Sequence, residues 1–186
     1  MLIPLRLSAQ TDEQLMLRAA RGSDRAFEEL YNRHARRLQG FFVRRLGDDA
    51  DLAADFMHDT FLRLYAAREK YHEDSSFRAW LYTIAYNLCK NHHRNQLTVI
   101  SDEGKDMADE ANIEVELDAA MLHNALRDVL KKLPEPYAML FSLHYEEELT
   151  VPQIAQITDL PEGTVKSRLH KTMNIIKQNL KQYENR

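Results

Sequence analysis

Apolar residues along this chain recur at steps of three and four rather than two, so helices are expected throughout. Phe27, Leu30, Tyr31, His34, Leu38 and Phe41 follow that rhythm and line one face of a long helix, which Gly47, Asp48 and Asp49 break. A second helix is predicted from about Asp51 to Ala67, with Leu52, Phe56, Met57, Phe61 and Leu64 on its buried side. Tyr71 to Ser76 reads as a polar loop, with Asp74 or Ser75 as the expected cap of the next helix. That helix runs from Phe77 to about Arg94 and buries Phe77, Leu81, Ile84, Ala85 and Leu88. Only Leu97-Thr98-Val99-Ile100 has the composition of a strand.

The stretch from Ser101 to Glu116 lacks aromatics and dense apolar periodicity, and reads as a flexible acidic linker. Helical periodicity returns from Leu117 to Leu133, stops at Pro134-Glu135-Pro136 and resumes through Tyr137 to about Tyr145. The expected architecture is therefore all-α: a helical domain over residues 1–96, a linker over 97–118 and a second helical domain over 119–186.

The end of the second domain is the most specific pattern. Thr150 and Gln153 have the spacing of a capping box, and Pro152 sits in the first helical turn, where a missing N–H is tolerated. A tight break at Thr158-Asp159-Leu160 follows, and Asp tolerates a left-handed backbone better than most residues. The next helix sets Val165, Leu169 and Met173 on one face and keeps its cations largely off it. Ala155 is small enough to let the two helices approach, and Ile154, Ile157, Val165 and Leu169 supply their core. Two short helices of this kind form a helix-turn-helix. In it Lys166, Ser167, Arg168, His170 and Lys171 become DNA contacts, cations mostly on phosphates and side chains near the helix start on base edges. The plainer alternative is an αα-hairpin with a solvated basic face.

A net charge of −4 over 186 residues argues against DNA binding as an average, but the charge is unevenly placed. Residues 1–98 hold 15 Lys/Arg against 13 Asp/Glu, whereas residues 99–118 hold 1 against 8. From Pro161 onward there are six Lys/Arg against two Glu, so the local field at the helix-turn-helix is positive. An apolar share of 44% with 29% charged residues suits a soluble globular protein. Apolar runs are too short to span a bilayer, so no membrane insertion is expected. Met1 to Leu7 lacks the basic-then-apolar order of a signal peptide. Cys89 is the single cysteine, which excludes an internal disulfide and suits a reducing cytoplasm.

Thr83, Asn87, Lys90, Asn91 and Arg94 share one face of the Phe77–Arg94 helix, with Tyr82 and Tyr86 flanking it. Amides, cations and rings together suit single-stranded nucleic acid, although these residues alone fit an ordinary amphipathic helix better. Asp51, Asp55, His58 and Asp59 on the second helix could suggest a metal site. They read better as a solvated acidic face or a docking face for a basic partner. Cys89, His92 and His93 offer three potential ligands without a matching pair elsewhere. No nucleophile–base constellation or glycine-rich phosphate loop occurs, so neither an enzyme nor a cofactor is expected.

Taken in order, these residues resemble the extracytoplasmic-function group of bacterial RNA polymerase sigma factors, over nearly the whole chain. Asp24-Arg25-Ala26-Phe27-Glu28-Glu29-Leu30-Tyr31 is similar to the start of that family's first conserved domain. Ala53 to Leu62 resembles its polymerase-docking helix, which implies polymerase contacts at Asp55, His58, Asp59 and Leu62. Ser76-Phe77-Arg78-Ala79-Trp80-Leu81-Tyr82-Thr83-Ile84-Ala85-Tyr86-Asn87 resembles the segment that opens and reads the −10 promoter element. Leu133-Pro134 and Glu162 to Leu169 resemble the domain that reads the −35 element, which adds Thr164 to the contacts there.

The resemblance implies that Asn87 captures a flipped −10 base, with Asp74 and Ser75 of the loop completing the pocket. It further implies core RNA polymerase, promoter DNA and an anti-sigma factor as partners, and a linker threaded near the polymerase RNA exit path. The sequence departs from the family at His58, where glutamine is usual, and at Asp159, where a turn glycine is usual. It departs again at Lys171-Thr172-Met173-Asn174, in place of an Arg-Ala-Arg-like run. Two other classes remain beside this one: a stand-alone helix-turn-helix regulator, and a small metal- or thiol-dependent enzyme using Cys89 and the histidines. Residues 1–96 show no ligand or receiver domain that a simple regulator would need.

Overall fold

The computed structural model describes residues 7–100 and 119–184, which form eight α-helices and no strand. The acidic stretch from residue 101 to 118 lies outside the described residues. Two compact units divide the chain, with the main boundary between Leu97 and Thr98. The first holds α1 (Asp12–Ala20), α2 (Asp24–Arg45), α3 (Ala50–Ala66) and most of α4 (Phe77–Ile100). The second is built on α5 (Ala119–Lys132), α6 (Glu135–Phe141), most of α7 (Val151–Thr158) and α8 (Glu162–Glu184).

In the first unit each start and stop has a local cause. Thr11 and Gln14 form a reciprocal capping box at the head of α1, each side chain bonded to the other's backbone N–H. Ser23 caps α2 through the Ala26 N–H, and Asp49 caps α3 through the Leu52 N–H at 2.9 Å. Between α2 and α3 the chain reverses through Gly47 and Asp48, whose φ angles of 75° and 65° favour glycine and tolerate Asp. α2 packs on α1 and α3, and aromatic edges tie the helices together. Phe41 meets Phe42 and Tyr82 edge to face, each at 5.5 Å, and Phe42 meets Phe56 at 5.6 Å.

Three expectations change here. α1 was not anticipated. The cap of α4 is Ser76, not Asp74 or Ser75: its Oγ accepts the Ala79 N–H at 3.3 Å. Leu97 to Ile100 is helical, because adding a residue to an existing helix costs β-branched types only a few tenths of a kcal/mol.

In the second unit Val129, Leu133, Ala138 and Ile176 form a core that Leu126, Phe141, Met173 and Leu180 extend, seating α8 on α5 and α6. α6 passes into a π-helical turn, Ser142–Glu146, where the Ser142 hydroxyl donates to the Glu146 carboxylate. The capping box of Thr150 and Gln153 closes the head of α7. Asp159 ends that helix in the left-handed region, with φ 56° and ψ 38°. The Leu160 N–H then bonds back to Ala155 O at 3.2 Å, the closure expected after a left-handed cap.

Candidate nucleic-acid interface

α8 begins with the Thr164 and Val165 N–H groups closing onto Pro161 O at 2.9 and 3.1 Å. Val165 and Leu169 are buried, which turns Lys166, Ser167, His170 and Lys171 outward, with Thr164 and Arg168 half-buried at the edge. The Ser167 hydroxyl donates to Thr164 O at 3.0 Å, and Lys166 lies 3.6 Å from Glu162 in an exposed pair. Such a pair stabilises little, so the ammonium can exchange its carboxylate for a phosphate. Lys171 Nζ sits 5.4 Å from the Tyr137 ring centroid, a cation–π contact that ties α8 to α6.

On α4, Asn87, Lys90, Asn91 and Arg94 are all exposed. Tyr86 is half-buried, with Lys90 Nζ 5.9 Å from its ring centroid. Tyr82 belongs elsewhere. It is 1% exposed and packed edge to face on Phe41, so no ring face is open to a base. In the loop, Asp74 is exposed and Ser75 half-buried, and Ser75 O accepts the Tyr71 hydroxyl at 2.5 Å. Thr83 turns its hydroxyl back to Ala79 O at 2.7 Å.

On α3, Asp55, His58, Asp59 and Leu62 form one stripe. Leu62 is the most exposed large hydrophobic side chain among the described residues, at 69%. Asp59 accepts from Arg63 at 3.0 Å. The His58 ring lies over Tyr31 with centroids 6.2 Å apart, and its Nδ1 is 3.5 Å from the Tyr31 hydroxyl. Tyr31 was read as a core residue of α2, and no local signal marks it as a neighbour of this stripe. Among the described residues no three His, Cys, Asp or Glu side chains converge as metal ligands, and Cys89 is buried. No described helix is long and apolar enough to cross a membrane.

A helix-turn-helix whose second helix turns cations outward has the geometry of a DNA-binding module. Family models give the particular kind. Sigma-70 region 2 matches residues 30–97, and Sigma-70, region 4 matches residues 123–174. RNA polymerase sigma-H factor of Pseudomonas aeruginosa is 32% identical over 182 residues, covering 91% of this chain and 94% of that protein. ECF RNA polymerase sigma-E factor of Haemophilus influenzae is 28% identical over 178 residues, covering 89% and 93%. The structure of CnrH in complex with the cytosolic domain of CnrY shares the fold with TM-score 0.69 at 24% identity, covering 91% and 97%. The sigma factor RpoE in complex with the anti-sigma factor NepR from Bartonella quintana gives TM-score 0.66 at 21% identity, covering 83% and 96%. The chain belongs to the extracytoplasmic-function group of RNA polymerase sigma factors, non-enzymatic subunits that bind core polymerase and direct promoter-specific initiation.

Proposed function

We propose that the two units divide promoter recognition between them. The first, over residues 1–96, docks on core polymerase through Asp55, His58, Asp59 and Leu62. It holds the unpaired −10 strand on Asn87, Tyr86, Lys90, Asn91 and Arg94, with Asp74 and Ser75 completing a base pocket. The second, over residues 119–186, lays the start of α8 in the −35 major groove, where Thr164, Lys166, Ser167, Arg168, His170 and Lys171 meet the duplex. The observation that carries the reading is the exposed row of amides and cations on α4. A half-buried ring in that row suits base stacking. Tyr82 is left out of the contact set because its ring is in the core.

The chain works in the cytoplasm, and an anti-sigma factor holds it until a signal releases it. Support for that partner comes from a sigma factor of like fold, RpoE, solved with the anti-sigma factor NepR. The test is transcription by purified core polymerase on genomic fragments, with and without the chain. Asn87→Ala lowers open-complex formation and leaves −35 duplex binding intact. Equal loss of both activities removes Asn87 from base capture, and no promoter-specific initiation from any fragment removes the reading.

A further inference from the structure

α1 lies outside both matched family segments, and none of the expected contact residues is on it. It nevertheless reaches the head of α4. Glu13 Oε1 accepts the Phe77 N–H at 3.3 Å, a bond between residues 64 positions apart. That N–H is one of the first in α4, where the helix supplies no internal acceptor. A carboxylate there also faces the positive end of the helix dipole.

The preceding residue fixes α1 in turn. Asp12 Oδ1 accepts from Arg33 at 3.0 Å, and Oδ2 lies 2.7 Å from His34 Nε2. Arg33 also donates to Gln10 O at 2.8 Å and Leu7 O at 3.1 Å, which gathers the approach to α1 against α2. The His34 ring packs 5.1 Å from Phe77. Two consecutive carboxylates in one helical turn thus hold two different helices.

The loop between α3 and α4 is anchored at its other end as well. Tyr71 is buried, stacks on Trp80 with centroids 5.4 Å apart and 24° between planes, and donates to Ser75 O. Burial, then the charges of Glu13 and Asp12, push its hydroxyl up to about 12, so the phenol keeps its proton and remains a donor. Between these anchors His72, Glu73 and Asp74 are exposed; His72 O accepts the Ser75 N–H at 3.0 Å, and Glu73 lines an open groove with Gln14, Leu17 and Arg18 of α1. Beyond that one turn bond, the loop is held at its two ends and along α1.

We propose that Glu13 is a positioning residue for −10 recognition: by capping α4 from α1, it holds the Tyr71–Ser76 loop in the shape that reads the flipped base. This rests on the assignment of that loop and Asn87 to the −10 pocket. The assay uses the full chain with core polymerase and a single-stranded −10 library randomised at each position. Glu13→Ala, Glu13→Gln and Asn87→Ala are compared by the ratio of best to worst base. Glu13→Ala lowers that ratio roughly tenfold, the change about 1.4 kcal/mol produces. Glu13→Gln keeps the acceptor and stays within about threefold of the parent, since only a dipole interaction is lost. Binding to −35 duplex is unchanged in both.

An unchanged ratio in Glu13→Ala, with a collapsed ratio in Asn87→Ala, overturns the role of Glu13 alone. Equal loss in the Ala and Gln variants, or a parallel loss of −35 binding, also overturns it. An unchanged ratio in Asn87→Ala overturns the pocket assignment itself, and the proposal with it.

Discussion

Tyr82 and Tyr86 stand one turn apart on α4, and the fold assigns them opposite roles. Tyr82 is 1% exposed and wedged edge to face against Phe41, whereas Tyr86 is half-buried under Lys90. Replacing a fully buried aromatic side chain by Ala costs about 3–5 kcal/mol, from lost transfer energy plus the cavity left behind. A domain of this size loses roughly 4–8 °C of Tm per kcal/mol, so Tyr82→Ala lowers the first unit's midpoint by roughly 12–40 °C. Tyr82→Phe keeps the ring and its packing, and leaves −10 strand affinity within about twofold because the ring touches no base. Tyr86→Ala should move the midpoint little, about 1 kcal/mol or less. If a base stacks there, it weakens −10 strand binding by about 1–3 kcal/mol. Thermal melts followed by near-UV circular dichroism give the first quantity. Fluorescence anisotropy on a single-stranded −10 oligonucleotide, far below the lowest midpoint, gives the second. The reasoning is refuted if Tyr82→Phe weakens strand binding while the melt is unmoved, or if Tyr86→Ala costs as much stability as Tyr82→Ala.

Three further outcomes are expected. Lys166→Ala weakens −35 duplex binding about equally across sequences and reduces the salt slope by about one, since a phosphate contact is lost. Its Tm is unchanged, because the pair with Glu162 is exposed and spans 3.6 Å. Asp159→Val lowers the melting point of the second unit by the cost of a β-branched residue in the left-handed region, about 1–2 kcal/mol. Asp159→Gly stays within about 1 kcal/mol of the parent. Burial alone would raise the Asp12 pKa, but hydrogen bonds and charge from His34 and Arg33 outweigh it and hold it below 3.8. The stability this contributes is complete above 3.8 and is lost as pH falls through the lower folded value. Asp12→Asn therefore flattens the acid limb of a stability–pH curve, and an unchanged limb refutes the linkage.

Much of the fold was legible because helices announce themselves locally. Of the residues stepping from Phe27 to Phe41, Leu30, Leu38 and Phe41 are buried on the inner face of α2 while Phe27, Tyr31 and His34 are half-buried at its edge, and the Thr150–Gln153 box does cap α7. Asp159 takes the left-handed turn that a glycine usually takes, as its short polar side chain allows. α1 was missed: the capping spacing of Thr11 and Gln14 is a signal for it, but its nine residues are too few for apolar periodicity to stand out. The cap of α4 was misplaced by one or two residues, because Asp74, Ser75 and Ser76 are all good caps and packing chose among them.

By itself, the sequence determined the all-helical class, the helix-turn-helix and the kinship with sigma factors, since each depends on the spacing of residues near one another in the chain. Tertiary structure alone decided how far the buried side of α4 extends beyond Phe77, Leu81, Ala85 and Leu88, and so removed Tyr82 from the outer row. It also brought His58 to Tyr31 across 27 positions and Glu13 to Phe77 across 64. Such contacts depend on where helices cross. Periodicity states that a helix has an inner face, but the width of that face is set by the helices that cover it.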